Sequence, residues 1–308
     1  MGIDLRGQVA IITGAGTGLG RAHALALAER GVKVAINDVG GPAGDAGSQS
    51  AAAGVAREIQ EAGGEAMVTL CDVADEKAVA AMVAQVIDTW GRVDILINNA
   101  GILRDKSFAK SDLQAFRTVV DVHLMGSVNC SHAVWPHMVE QGYGRILMTT
   151  SASGIYGNFG QANYGAAKSA VVGLMNVLAI EGEKRGIRVN SLAPTAATQM
   201  TEDLLEPQEL ALLAPEAVAP GAVFMVSPEA PTKTILAAGA GVFAVARMEE
   251  SAGVYLPESL RTPEQLALEW SRVSDMSGSV VTESAFEQTR RYIAIARREA
   301  DDVAEAAL

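Results

Sequence analysis

Three side chains lying close together could move a proton on an alcohol oxygen: the hydroxyl of Ser151, the phenol of Tyr164 and the ammonium of Lys168. Positions four apart are neighbours on one face of a helix, so a helix from Ala162 to about Arg185 would present Tyr164 and Lys168 together. The apolar run Arg145-Ile-Leu-Met-Thr-Thr150 predicts a buried strand, which leaves Ser151 at its end. A free phenol titrates at about 10 and is a poor base at neutral pH. A neighbouring ammonium favours the phenolate and brings Tyr164 toward a working range, while Ser151 can hold the substrate oxygen by hydrogen bond. Tyr-x-x-x-Lys is also a common surface pair, so the chemistry requires a hydride site beside it.

The elements that would supply this site open the chain. Gln8-Val-Ala-Ile-Ile-Thr13 predicts a short buried strand, followed by Gly14-Ala-Gly-Thr-Gly18-Leu-Gly20 and a helical run beginning at Arg21. Strand, glycine loop and helix in that order make a dinucleotide turn, placing Gly14, Thr17, Gly18, Leu19 and Gly20 against a pyrophosphate. A second strand, Val32-Lys-Val-Ala-Ile-Asn37, ends at Asp38, where a carboxylate can take the ribose hydroxyls. A ribose phosphate would be repelled there and Val39 offers no cation, so NAD is expected over NADP. Strands Ala66–Cys71 and Val93–Asn98 alternate with helices from Ala51 to Ala62 and from Lys77 to Trp90. Such alternation predicts an α/β fold, a parallel sheet covered on both faces. Asp72 and Val73 at the end of the third strand are expected beside the adenine, with Asp72 also suited to cap the next helix.

With these pieces in place, the sequence resembles the short-chain dehydrogenase/reductase family over roughly residues 5–250. Thr13-Gly-x-x-x-Gly18-x-Gly20 matches its cofactor turn, Asn98-Asn-Ala-Gly101 its sheet-stabilising motif, and Ser151, Tyr164 and Lys168 its catalytic residues. The resemblance implies a doubly wound Rossmann-type three-layer sandwich with a central parallel sheet. It also implies cofactor contacts from Asn99, Ala100, Gly101, Tyr164, Lys168, Pro194, Thr195 and Thr198. Ile36-Asn-Asp-Val-Gly-Gly41, Asn98-Asn-Ala-Gly-Ile-Leu-Arg-Asp105 and the stretch from Ser151 to Tyr164 are most similar to the branch acting on (3R)-hydroxyacyl-CoA thioesters. Interconversion of (3R)-3-hydroxyacyl-CoA and 3-oxoacyl-CoA, on a fatty or a steroid side chain, is the leading expectation. The alternatives are 17β-hydroxysteroid dehydrogenase, 3-oxoacyl-acyl-carrier-protein reductase and an NAD(H)-sensing protein without turnover.

Two departures from the family pattern stand out. His123 occupies the place of a usual asparagine that helps relay protons to the lysine, and it reads equally as a relay or a packed core histidine. Thr195 follows Pro194 where the family has glycine. Ser153, Tyr156 and Phe159, in what reads as a glycine-rich loop, are candidates to line an acyl or steroid body. Arg104, with Lys106 and Lys110, could form a basic lip for the phosphates of CoA.

A formal charge of −12 over 308 residues argues against a nucleic-acid partner, which needs an electropositive face. No apolar run approaches the ~20 residues that span a bilayer, and neither end carries a secretory core or a Ser-Lys-Leu address. Cys71 and Cys130 form no ligand spacing, so no metal is expected, and they fit a reducing cytoplasm. The dehydrogenase domain is expected over 1–250, with a substrate lid at about 199–215 and a last strand at Ala240–Ala246. A helical C-terminal extension, 251–308, follows, with Thr262 capping a helix that starts at Pro263. Dense apolar positions on the Tyr164 helix favour a homodimer or homotetramer.

Overall fold

The structure is a computed structural model that describes residues 2–39, 46–196 and 206–306. It divides into two compact units, Met1–Ala246 and Arg247–Leu308. The first is built as β1 (Val9–Thr13), α1 (Gly18–Ala28), β2 (Lys33–Asn37), α2 (Ala46–Glu61), β3 (Ala66–Thr69) and α3 (Glu76–Trp90). It continues with β4 (Ile95–Asn98), α4 (Leu113–Val120), α5 (Gly126–Gln141), β5 (Gly144–Thr149), α6 (Ala152–Tyr156) and α7 (Ala162–Gly182). It ends with β6 (Ile187–Pro194), α8 (Pro207–Leu212), α9 (Ala219–Met225), β7 (Ile235–Gly239) and β8 (Val242–Ala246).

The strands form one eight-stranded sheet in the order β3-β2-β1-β4-β5-β6-β7-β8. Every pairing is parallel except β7 with β8. Side chains alternate along each strand and fill two cores. Ala10, Ile12, Val34 and Ile36 face α1 and α2, through Ala24, Leu27, Val55 and Ile59. Val9, Ile11, Leu96 and Ile146 face α3, α5 and α7, through Val83, Val134 and Val171. Each such fully buried Val, Leu or Ile stabilises the fold by about 1.5–3 kcal/mol. Cys71 and Cys130 are buried free thiols within the second core, and burial pushes the Cys71 thiol up to about 11.

Winding outward from β1 to β3 and again from β4 to β8 leaves a crevice between β1 and β4. There the turn after β1 and the segment after β4 diverge, and ligands bind open sheets at such points.

Several local expectations are corrected. The last strand, expected over Ala240–Ala246, spans Val242–Ala246 and returns antiparallel to Ile235–Gly239, the parallel edge of the sheet. Asp75, not Asp72, caps α3, accepting from the Lys77 and Ala78 N–H groups; Asp72 instead accepts from Ala74 N. Between α4 and α5 the helix widens into a π-helical turn at Asp121–Met125, where the Gly126 N–H donates to the Asp121 carbonyl five residues back. Residues Ala152–Tyr156, expected as loop, form α6, with the Ser151 hydroxyl accepting from Ser153 N at its start.

In the lid region, 199–205 lies outside the described residues; beyond it, Glu206 and Glu209 form a capping box around Pro207. The second unit carries α10 (Pro263–Leu268), α11 (Trp270–Val273) and α12 (Ala285–Ala306). Thr262 caps α10 as expected, its side chain accepting from Gln265 N. Within this unit, Glu250 accepts from Gln288, Tyr292 and Thr282 and pairs with Arg291 at 3.0 Å. Among the described residues, no helix is long and apolar enough to cross a membrane.

Candidate active site

The turn after β1 is shaped by atoms it lacks. A Cβ on Gly14, whose φ is +62°, would lie 2.9 Å from the Ala100 Cα, and one on Gly20 would strike the Gly14 carbonyl and lie 2.6 Å from Asn99 Nδ2. Asn99 ties the β4 end to this turn, its Nδ2 donating to the Thr13 and Gly14 carbonyls at 3.0 Å each. The Thr13 hydroxyl in turn accepts from the Asn99 and Ala100 N–H groups. Helix α1 begins immediately afterward, and its N-cap, Thr17, makes no side-chain capping bond. The first N–H groups of the helix therefore point outward with no intrahelical partner, a donor set suited to a pyrophosphate. Asp38 lies at the same loop and accepts from Gly16 N at 2.9 Å. These residues fit a dinucleotide.

Asp72 is exposed, and Val73 is buried under Gly126, its carbonyl accepting from Asn129 Nδ2. Thr195 N donates to the Ala238 carbonyl, which fixes the exit of β6 without the expected glycine. Thr198 lies outside the described residues.

Across the crevice, a cavity of about 430 Å³ is lined by Leu19 and Asn99 from the cofactor side and by His123, Tyr164 and Lys168 from the other. Gly101, Arg104 and Pro194 complete it among the predicted residues, together with Ile102, Leu103 and Thr149. The Ser151 hydroxyl favours the ionised form of the Tyr164 phenol. Lys168 is buried; its Nζ donates to the Thr149 carbonyl at 2.5 Å and stands 5.7 Å from the Tyr164 ring centroid. Burial pulls the Lys168 ammonium down to about 7. Burial raises the Tyr164 phenol above its ordinary value, with the Ser151 hydroxyl opposing and the Asp105 charge raising it further. Desolvation thus outweighs the help expected from Lys168.

His123 lies edge-on to Tyr164, with ring centroids 5.2 Å apart and planes at 83°. Its Nε2 sits 3.1 Å from the Ile102 N–H and 2.8 Å from the Ile102 carbonyl, so one tautomer accepts and the other donates. Nδ1 is buried without a partner. Burial, then the Lys168 charge, pull its pKa down to about 3, so the ring is neutral at physiological pH. The imidazole also occupies the space a side chain would take on Gly101, so this glycine is required by His123 and not only by a cofactor.

The remaining predicted residues lie apart from the cavity lining. Tyr156 and Phe159 are exposed, at 75% and 91%. The Ser153 hydroxyl is already engaged, donating to Gln161 Oε1 at 2.7 Å. Lys106 and Lys110 are exposed beyond Arg104. Sequence reasoning passed over Asp105, Gln161 and Asn163, which bind the 102–106 segment to the start of α7; a Gln and an Asn just before Tyr164 were the available signal.

A family model described as short chain dehydrogenase matches residues 8–209. Peroxisomal multifunctional enzyme type 2 of Drosophila melanogaster is 46% identical over 276 residues, covering 88% of this chain and 46% of that protein. The solved full-length structure of that enzyme matches with a TM-score of 0.80 at 37% identity, over 96% of this chain and 50% of that one. A short-chain type dehydrogenase/reductase of Mycobacterium tuberculosis is 42% identical over 278 residues, 89% of this chain and 96% of the relative. A 7α-hydroxysteroid dehydrogenase solved with NADH and 7-oxo glycochenodeoxycholic acid matches at TM-score 0.70 and 31% identity, over 77% of this chain and 95% of that one. The chain spans about half the length of the multifunctional relative and nearly all of the mycobacterial one. On this match and this likeness the chain is an oxidoreductase and belongs to the short-chain dehydrogenase family.

Proposed function

We propose that the protein interconverts a secondary alcohol and a ketone with NAD, acting on (3R)-3-hydroxyacyl-CoA thioesters. The observation that carries this reading is the single cavity in which Tyr164 and Lys168 face Leu19 and Asn99 from the glycine turn. Asp38 and the first N–H groups of α1 would hold the dinucleotide, and a carboxylate at the ribose favours NAD over NADP. When bound, the nicotinamide supplies the hydride acceptor. Ser151 anchors the substrate oxygen, Tyr164 holds and moves its proton, and Lys168 binds the ribose and biases the phenol. The Lys168 ammonium favours the phenolate, and the positive charge of a bound nicotinamide would add to it against the burial that raises the phenol.

The acyl-CoA substrate is supported by the similarity to multifunctional enzymes of peroxisomes and by Arg104 at the cavity, with Lys106 and Lys110 exposed beyond it. A steroid body is the second reading, favoured by the likeness to a bile-acid hydroxysteroid dehydrogenase. Exposed Val177 and Ile180 on α7 support a homodimer or homotetramer built on that helix.

The test follows nicotinamide absorbance with NAD and NADP over a panel of 3-hydroxyacyl-CoA esters, a hydroxysteroid and a short ketone. Wild type is expected to turn over the CoA esters with NAD, and Tyr164→Phe to lose about 10³-fold in kcat with cofactor affinity unchanged. Cofactor binding without turnover of any panel member would point to a sensor instead.

A further inference from the structure

The segment after β4 is fastened to the catalytic elements at four nearly consecutive residues. Ile102 meets His123 Nε2, the Arg104 carbonyl accepts from Asn163 Nδ2 at 2.9 Å, and Lys106 N donates to the Gly160 carbonyl at 2.9 Å. Between them, Asp105 Oδ2 accepts from Gln161 Nε2 at 2.6 Å. Gln161 is 7% exposed and stands at the entry to α7, three residues before Tyr164.

Gln161 does not end the connection. Its Oε1 accepts from the Ser153 hydroxyl at 2.7 Å and from Asn158 Nδ2 at 3.1 Å. The Ser153 N–H donates to Ser151 Oγ at 3.1 Å, and the Ser151 hydroxyl favours the ionised form of the Tyr164 phenol. One chain of bonds therefore runs from the Asp105 carboxylate through Gln161 and Ser153 to Ser151, and Ser151 acts in turn on Tyr164. Its polarity is fixed from the charged end: a carboxylate can only accept, so the Gln161 amide must turn its NH₂ to Asp105 and its oxygen to Ser153. That orientation leaves the Ser153 hydroxyl as a donor. Buried chains of this kind are stiff because each member has one arrangement that satisfies its neighbours.

We propose that Asp105 and Gln161 are positioning residues that orient the Ser151 and Tyr164 oxygens for proton transfer, acting through Ser153. The proposal rests on the oxidoreductase reading above for its kinetic consequence, but not for its geometry. Asp105 also acts at a distance. Around the phenol stand Ser151, the neutral His123 ring, the Lys168 ammonium and the Asp105 carboxylate, and the Arg104 guanidinium lines the same cavity. Among the described residues around the phenol, Asp105 sets a negative charge against the phenolate, opposing Lys168 and Arg104. The Asp105 Oδ1 atom is buried without a partner, so its charge is not dispersed by a second donor there.

Two substitutions separate the connection from the charge. Gln161→Met keeps the volume and the Asp105 charge but removes both amide bonds. Asp105→Asn keeps an oxygen to accept from Gln161 and removes the charge. In Gln161→Met, kcat is expected to fall about tenfold with the KM for NAD unchanged, the size of effect seen when supporting partners of reactive groups are lost. In Asp105→Asn, the Tyr164 phenol, read by phenolate absorbance against the same protein carrying Tyr164→Phe, is expected to titrate at lower pH by about half a unit.

A Gln161→Met kcat within about twofold of wild type overturns the positioning role. An unmoved phenol titration in Asp105→Asn overturns the electrostatic one, and a purely structural staple would leave it unmoved. Should Gln161→Met lose its cooperative thermal transition, Gln161→Glu, which sets two carboxylates side by side, serves in its place with the same kcat criterion, read beside the Asp105→Asn titration. The titration needs no substrate, so it decides the electrostatic role even where the hydroxyacyl-CoA panel fails, and the kcat criterion for the positioning role is then read on whichever steroid or ketone of the panel is turned over.

Discussion

The two segments that meet at the sheet rim, the turn after β1 and the 101–107 stretch after β4, are held by opposite means. The first is fixed by missing atoms: Gly14 and Gly20 lie against Ala100, Asn99 and each other, with little space for a methyl group. The second is fixed by added ones, since Gln161, Asn163 and His123 reach across to its backbone and to Asp105. The cofactor side must present bare N–H groups to a large anion, so side chains would obstruct it. The catalytic side must hold three polar groups at set separations, and only side-chain bonds do that. One region is therefore broken by addition and the other by removal.

The largest effect should come from adding a methyl group to the first region. Gly20→Ala is expected to destabilise the fold by about 3 kcal/mol or more, because its Cβ would meet the Gly14 carbonyl backbone, which cannot yield cheaply. Thermal melting and a cofactor titration measure it; a wild-type melting temperature with wild-type affinity would erase the contrast between the two regions.

Removing the buried ammonium from the second region should show an effect of a different sign. Lys168 titrates near 7 in the folded protein against an ordinary 10.5, so the folded state binds fewer protons than the unfolded one between those values. The cost of the buried charge is full below pH 7 and fades as pH rises to 10.5. Lys168→Met should lose turnover yet gain stability relative to wild type at neutral pH, by on the order of a few kcal/mol, with the gain shrinking toward alkaline pH. Denaturant melts of both proteins across that window check this, and a pH-independent difference would mean that the ammonium is not desolvated.

His123 should give the smallest change. Its folded pKa of about 3 lies below the ordinary 6.5, so wild type loses stability as pH falls through that interval and His123→Asn should not. At neutral pH the ring is uncharged and its bonded nitrogen faces backbone, so kcat should fall by only about threefold. A loss above tenfold in steady-state assays would make the imidazole a working member of the proton path.

What could be read beforehand follows the range of the underlying forces. Ser151, Tyr164 and Lys168 were legible because a strand end and a four-residue helical spacing bring them together locally. The glycine turn and Asp38 were legible for the same reason. Asp105 and Gln161 are 56 positions apart and their bond obeys no period, so nothing short of the fold reveals it. Strand β7, Ile235-Leu-Ala-Ala-Gly239, is poor in β-branched residues and exists because β6 offers it an edge, whereas the 240–246 run drew the assignment. Helix α6 is too short to nucleate alone and forms because Gly154 lets it pack on Lys168. Asp72 and Asp75 are chemically equivalent caps, and sequence offered no reason to choose the later one.

The widened winding at Asp121–Met125 stores one residue more than regular coiling would take. Each residue turns a regular helix by about 100°, and the wide turn absorbs one residue without passing that rotation on to Gly126–Gln141. Excising a single residue here would let the two helices run on as one regular coil, with Cys130 and Val134 still facing the core. The imidazole alone would lose its slot beneath Gly101, so the shortening would injure the site and spare the fold. Chain length at this point is bound to the geometry of the reactive centre.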